Sequence, residues 1–322
     1  MKVGWLAVVA FAGSMMVTAQ VTAPVTTGGP AMFGPSYSGF PAPVAPGQLA
    51  EFFVSGLTLQ AGQPTAATSF PLPSTLAGIT ASIRGFTGPT FAVPILRLDM
   101  TRNCNPEWFP GISCSAPIGV EVQLPYELGS SPAANVGNAY DYALTITDAQ
   151  DHSASITLHS VQSAIHVLRS CEFPQTPPNP KNACPALVSS AGAETVAGAV
   201  VTAYATGLGR VSPGIPTGSS APASPLSGLL FPVGLNFDFH PNAQPIGQPA
   251  GTHVVEAADF TAPLFAGPVP GYAGLYQVNI RIPDVPIGTP ACGGKVYSNL
   301  TVTILNSASS DGFPLCVAVP AR

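Results

Sequence analysis

The sequence predicts an all-β protein: two tandem immunoglobulin-like β-sandwich domains joined by a Pro-rich, disulfide-closed connector. Three observations predict it. Short apolar runs alternate with polar residues at a period of two, the mark of half-buried antiparallel strands. Gly and Pro, at 33 and 37 of 322 positions, punctuate those runs with turns. And one strand-and-turn pattern is written twice, 151 residues apart.

Taken in order, the chain opens with MKVGWLAVVAFAGSMMVTAQ. Lys2 precedes an apolar stretch, Val3–Ala12, that is too short to span a bilayer. Val17 and Ala19 then occupy the −3 and −1 positions of a small-residue cleavage site. Residues 1–19 therefore read as a secretory signal peptide cut before Gln20, with an N-terminal strand or an uncleaved anchor as the alternatives. Residues 20–42 carry little charge and are expected to be a disordered tail. No other apolar run is long enough to cross a membrane, so none is expected in the mature chain.

The first sandwich is placed at residues 43–168. APGQLAEFFVSGL (Ala45–Leu57) opens it. ITASIR (Ile79–Arg84), VEVQLP (Val120–Pro125), ALTIT (Ala143–Thr147) and SITLHSV (Ser155–Val161) follow, each alternating between an apolar and a more polar face. The connector is placed at residues 169–187, stiff by its proline content. The second sandwich takes residues 188–322. There VAGAVVTAYATGL (Val196–Leu208) lies over the opening strand of the first copy, with Gly198 on Gly47 and Gly207 on Gly56. VNIRIP (Val278–Pro283) lies over VEVQLP, and TVTIL (Thr301–Leu305) over ALTIT. Three matches in one order argue for duplication of a domain. VGLNFDF (Val233–Phe239) adds a further alternating strand, and Ser212–Gly228 reads as a long loop inside the second copy.

Composition narrows the function. Net charge is −5, only 8% of residues are charged, and no Lys/Arg run occurs. A cationic footprint is what nucleic-acid binding needs, so a nucleic-acid partner is excluded. Six cysteines in an exported chain meet an oxidising compartment. Fifteen pairings are open. The economical one joins sequence neighbours: Cys104 with Cys114, Cys171 with Cys184, Cys292 with Cys316. No Cys-x-x-Cys occurs, which favours disulfides over zinc or redox chemistry.

Two long segments carry a family likeness. YATGLGRVSP with FAGPVPGYAGLYQVNIRIP (Phe265–Pro283) and SNLTVTI (Ser298–Ile304) resembles the uncharacterised secreted C-terminal domain family abundant in Acidobacteria, the Solibacter type. The opening strand of the first copy and VEVQLPYEL (Val120–Leu128) resemble that family's leading half. The likeness runs from about Pro43 to Asn306. It implies an exported β-rich surface module and transfers no functional residue. The Cys104–Cys114 and Cys171–Cys184 segments depart from the family pattern.

No Gly-x-Ser-x-Gly, His-Glu-x-x-His or phosphate-cradling loop is present, so no catalytic residue, cofactor or metal ligand is assigned. His152, His159 and His166 recur at seven-residue intervals, and Asp238, His240 and His253 fall on or near one strand. Scattered polar strand residues explain both sets. The binding candidates are aromatic. Trp108 and Phe109 sit within CNPEWFPGISC (Cys104–Cys114), and Tyr272 occupies the matching place in the second copy. Aromatics on a closed loop lose little entropy on contact, which suits recognition. Trp108 is alternatively a plug in its own sandwich. The leading functional expectation is a non-catalytic secreted or cell-surface module in adhesion, matrix or envelope interactions, its partner a surface protein or glycan. A carbohydrate-binding module, and a hydrolase with dispersed residues, are the alternatives.

Overall fold

The computed structural model describes residues 31–33, 42–85, 88–99, 118–130, 138–168, 195–238, 261–287, 298–304, 310–315 and 317–318. It is a pair of immunoglobulin-like β-sandwiches. The first comprises β1 (Ala31–Phe33), β2 (Ala42–Val44), β3 (Leu49–Ser55), β4 (Thr75–Leu76), β5 (Ile79–Gly85), β6 (Thr90–Ala92), β7 (Ile95–Asp99), β8 (Ile118–Gln123), β9 (Asp141–Thr147) and β10 (Ser153–Ser160). One sheet runs β1-β3-β8-β7; the other runs β2-β10-β9-β5-β4, with β6 on β5.

The second comprises β11 (His166–Val167), β12 (Thr195–Val196), β13 (Val200–Thr206), β14 (Val211–Ser212), β15 (Gly228–Leu229), β16 (Val233–Asp238), β17 (Phe265–Pro268), β18 (Tyr276–Arg281), β19 (Ser298–Ile304), β20 (Ser310–Leu315) and β21 (Val317–Ala318). Its sheet β11-β13-β18-β17 repeats the first sheet strand for strand, and β16-β19-β20 and β12-β21 pair as separate sheets.

Alternation puts the sheets face to face. Along β3 every second residue is buried, and Phe52 and Val54 meet Ile79, Ile83, Leu144 and Ile146 of the opposite sheet in one core. In the second copy Val201, Ala203 and Ala205 of β13 share a core with Val278 and Ile280 of β18 and Leu235 of β16. The duplication extends to register. Ala50 faces Val122 and Phe52 faces Val120; their counterparts Val201 and Ala203 face Ile280 and Val278. The turns before the opening strands match as well. Gly47 N–H donates to the Leu124 carbonyl at 3.0 Å and Gly198 N–H to the Ile282 carbonyl at 2.8 Å, with φ of 77° and 80° at the two glycines. That left-handed backbone favours a residue without Cβ.

Strand pairing moves two boundaries drawn from the sequence. The tail expected over residues 20–42 contains β1, whose Ala31, Met32 and Phe33 pair with Ser55, Val54 and Phe53. Pairing with the open edge of β3 satisfies the backbone of these three residues, which overrides a composition that looked unstructured. Second, His166 and Val167 pair with Thr206 and Ala205, so the second sandwich begins at β11. The link between sandwiches is the short run Val161–Ile165, and its Val161 and Ala164 are buried with Ala45. Residues 169–187 were read as the connector. They lie between β11 and β12, both strands of the second sandwich, and outside the described residues.

Candidate functional site

The most heavily built polar region lies where the two sandwiches meet. The first contributes the N-terminal end of β3 and the C-terminal end of β8. The second contributes the C-terminal end of β13, the loop after it, and the β17–β18 turn. Gln123 is fully buried, and its Oε1 accepts the Gly218 N–H at 2.7 Å. The Gly218 carbonyl accepts the Leu72 N–H at 2.7 Å. Tyr126 N–H donates to Thr217 Oγ1 at 2.9 Å, and that hydroxyl donates onward to Glu127 Oε2 at 2.6 Å. Arg210 Nη2 donates to the Leu128 carbonyl at 2.6 Å. Gln48, also buried, accepts the Ala45 N–H at 2.8 Å and donates to the Ala164 carbonyl at 3.3 Å.

Two tyrosines form the centre. Tyr276 is fully buried, and its hydroxyl donates to the Gly209 carbonyl at 2.6 Å. Its one proton is thereby committed, so at 3.2 Å the Tyr126 hydroxyl is the donor to the Tyr276 oxygen. The Tyr126 ring lies directly over Gly47, in space that a Cβ would need. Burial pushes the Tyr276 hydroxyl well above the ordinary phenol range, and the neighbouring Tyr126 charge and hydrogen bond push it further. Burial also raises Tyr126, partly offset by its bond to Tyr276. Both phenols are neutral at physiological pH and serve as hydrogen-bonding groups.

The loop at Ser212–Gly228 thus has a definite task. It supplies Thr217 and Gly218 to the first sandwich, and Ala221 exchanges backbone hydrogen bonds with the β17–β18 turn at Gly271 and Tyr272. That turn in turn touches the first sandwich, since Gly274 packs on Leu49 and the Gly47 carbonyl. Tyr272 itself is 56% exposed. Trp108 and Phe109, on the corresponding β7–β8 connection of the first copy, lie outside the described residues, as do Cys104, Cys114, Cys171, Cys184, Cys292 and Cys316.

The histidines separate into different roles. His152 belongs to the β9–β10 turn. Asp148 in that turn accepts the N–H groups of Thr58, Gln150 and His152 and pairs with His152 Nδ1 at 3.0 Å. Burial raises the Asp148 carboxyl, but these bonds outweigh it and leave the group below its usual range. His159 faces Asp141 across the β9–β10 ladder, with Nδ1 2.6 Å from Oδ1. His166 lies on β11 in the other sandwich, so the seven-residue spacing brings no triad together. Among the described residues no three His, Cys, Asp or Glu side chains converge as a metal site. The Asp238 side chain, His240 and His253 lie outside the description.

The His159–Asp141 pair was missed from sequence, although the Asp148–His152 turn fixes the hairpin register that sets it. Asp141 also lines a cleft of about 250 Å³ with Arg84, Gly85, Tyr142, Ala143 and Thr157. His159 Nε2 is buried without a hydrogen-bond partner. Strand alternation places the adjacent Ser160 on the opposite face, so it is not aligned with His159 as a nucleophile.

No family model and no curated protein matches this sequence. Among the described residues no helix is long and apolar enough to cross a membrane. Solved structures show a low-level similarity. The Escherichia coli adhesin FdeC is 11% identical over 90% of this chain and 63% of its own, with a TM-score of 0.20. The Yersinia pseudotuberculosis adhesin InvE is 12% identical over 90% and 58%, with a TM-score of 0.22. The sialic-acid-binding region of a Streptococcus sanguinis SK1 adhesin is 10% identical over 91% and 78%, with a TM-score of 0.16. This chain therefore spans less than two thirds of the first two structures.

Proposed function

We propose that this chain is an exported, non-catalytic surface module that acts in adhesion, matrix or envelope interactions. The observation that carries the reading is the joint. Two sandwiches are held end to end by buried Gln123, the Tyr126–Tyr276 pair and the Thr217–Gly218 loop, a construction suited to presenting a recognition surface at a fixed orientation. Interfaces between domains of one chain are ordinarily polar and yielding; here buried Gln48, Gln123 and Tyr276 each make a hydrogen bond within the joint. Export by the N-terminal signal and three local disulfides belong to the same reading, as does membership of the Acidobacteria family that the sequence resembles. Protease shaving of intact cells, with immunodetection of the chain, tests it. Loss of the protein from the shaved cell surface is the expected result; full protection in intact cells and digestion only after lysis refutes a surface role. Alkylation under denaturing conditions without reductant is expected to label no cysteine.

A second reading, glycan binding, is supported by the exposure of Tyr272 on its turn. A glycan array comparing wild type with Tyr272→Ala tests it. A bound sugar class lost in the variant is expected; no bound glycan, or equal binding by both proteins, removes the reading.

A further inference from the structure

The internal joint has two halves, and each has an unused counterpart elsewhere in the chain. On the first sandwich the receiving half is the turn before β3. Ala45 there is fully buried, Gly47 and Gln48 are buried, and Leu49 meets Gly274 of the second sandwich. On the second sandwich the same positions are Val196, Gly198, Ala199 and Val200. Backbone, hydrogen bonds and register are repeated there, yet Val196 is 55% and Val200 46% exposed, and a Cβ added at Gly198 would meet nothing. Where the first copy has a covered alanine, the second shows valine to solvent.

The inserting half shows the reverse. Gly207, Leu208 and Gly209 at the end of β13 are buried: Gly207 against the Ala164 carbonyl of the link and the Gln48 side chain, Gly209 against the Gln162 carbonyl, and Leu208 in the second core. Their counterparts at the end of β3 are Gly56, Leu57 and Thr58. Gly56 keeps the same left-handed backbone, with φ of 79° against 74° at Gly207. Gly56 and Thr58 are nevertheless exposed, and Leu57 is half-buried. Among the described residues, the Val196–Val200 turn is thus an exposed receiving half and the Gly56–Thr58 turn an exposed inserting half of an interface that the chain already forms within itself.

We infer that the Val196–Val200 end of one molecule receives the Gly56–Thr58 end of a second copy of this chain, so that molecules associate head to tail. An interface made from two different patches is heterologous, and extends into open chains unless the rotation between copies closes a ring. The occupant is argued from the duplication: the surface equivalent to Val196–Val200 is covered, in the first sandwich, by a module of this same fold. This inference goes beyond the surface reading and does not depend on it.

Sedimentation velocity on the full mature chain over a wide concentration range provides the test. Val200→Glu blocks the receiving half and Thr58→Lys the inserting half. Both sites are solvent-exposed, and a thermal midpoint equal to wild type verifies folding, with Val196→Glu standing in if Val200→Glu fails that check. Wild type is expected to form progressively larger species with concentration. Each variant alone is expected to weaken association by about tenfold or more. An equimolar mixture of Val200→Glu and Thr58→Lys is expected to stop at dimers, because one intact half of each kind remains. A wild-type chain that stays monomeric throughout overturns the inference. So does association unaffected by either charge, or a mixture that behaves as its separate components.

Discussion

Replacing Gly47 and Gly198 by alanine, one at a time, separates the joint from the fold. The two glycines occupy equivalent turns with φ of 77° and 80°, and both N–H groups close the same bond to the following strand. Alanine at either site carries a left-handed penalty of about 1–2 kcal/mol. For Gly198→Ala that is the whole effect, since no atom lies within 4 Å of the added carbon. At Gly47 the added carbon falls on the Tyr126 ring. The ring must leave its seat, at an overpacking cost of about 1–3 kcal/mol. It also gives up its hydroxyl bond to Tyr276, worth about 1 kcal/mol. Gly198→Ala is therefore expected to lose about 1–2 kcal/mol and Gly47→Ala about 3–6 kcal/mol. Urea unfolding measures both, and near-ultraviolet circular dichroism reports whether the tyrosine pair has been disturbed. Equal losses in the two variants, with the tyrosine signal unchanged, would refute the claim that Tyr126 holds the joint through its contact with Gly47.

Three further outcomes follow from the same geometry. Tyr276→Phe leaves the buried Gly209 carbonyl without its donor and is expected to cost about 1–3 kcal/mol in urea unfolding. Because the folded-state phenol titrates above its unfolded value, its stabilising contribution is complete below about pH 10 and is lost as pH rises beyond it. The wild-type alkaline limb should accordingly be steeper than that of Tyr276→Phe, and parallel limbs would contradict the assignment. Asp148→Asn should destabilise the protein at neutral pH. Its carboxyl titrates below the unfolded value, so the stability it contributes is present above that value and lost as pH falls through the folded one; the gap between variant and wild type should close in acid. Arg210→Ala removes the donor to the Leu128 carbonyl and is expected to cost about 1–2 kcal/mol, measured by thermal unfolding, whereas exposed Arg281→Ala should change stability by less than about 0.5 kcal/mol.

The sandwich architecture was legible because it rests on local rules that duplication wrote twice. Alternation assigns Phe52 and Val54 to the core and Glu51 and Phe53 away from it whatever else the chain does, since a strand side chain has only two directions to face. Matching Val120 with Val278 and Phe53 with Tyr204 laid β3 over β13 and β8 over β18, and the structure pairs each couple in one register. The boundaries were less legible. Ala31–Phe33 and His166–Val167 are edge strands of two or three residues, too short to show a period. Their conformation comes from a partner strand that sequence inspection does not see. The aromatic loop at Trp108 was singled out from sequence, while Gln48, Gln123 and Tyr126 passed as ordinary strand-end residues.

By itself, then, the sequence determined the class of fold, the duplication, the core faces of the strands and the shortage of charge. Each depends on residues close along the chain or on a pattern repeated along it. Tertiary structure alone decided which ends meet and what the Ser212–Gly228 loop does. Gly47 and Gly198 have the same backbone and the same turn, yet one lies beneath Tyr126 and the other faces solvent. That difference depends on where the second sandwich sits. Burial of a polar or small residue at a strand end is a property of the surface brought against it, which chain neighbours do not specify.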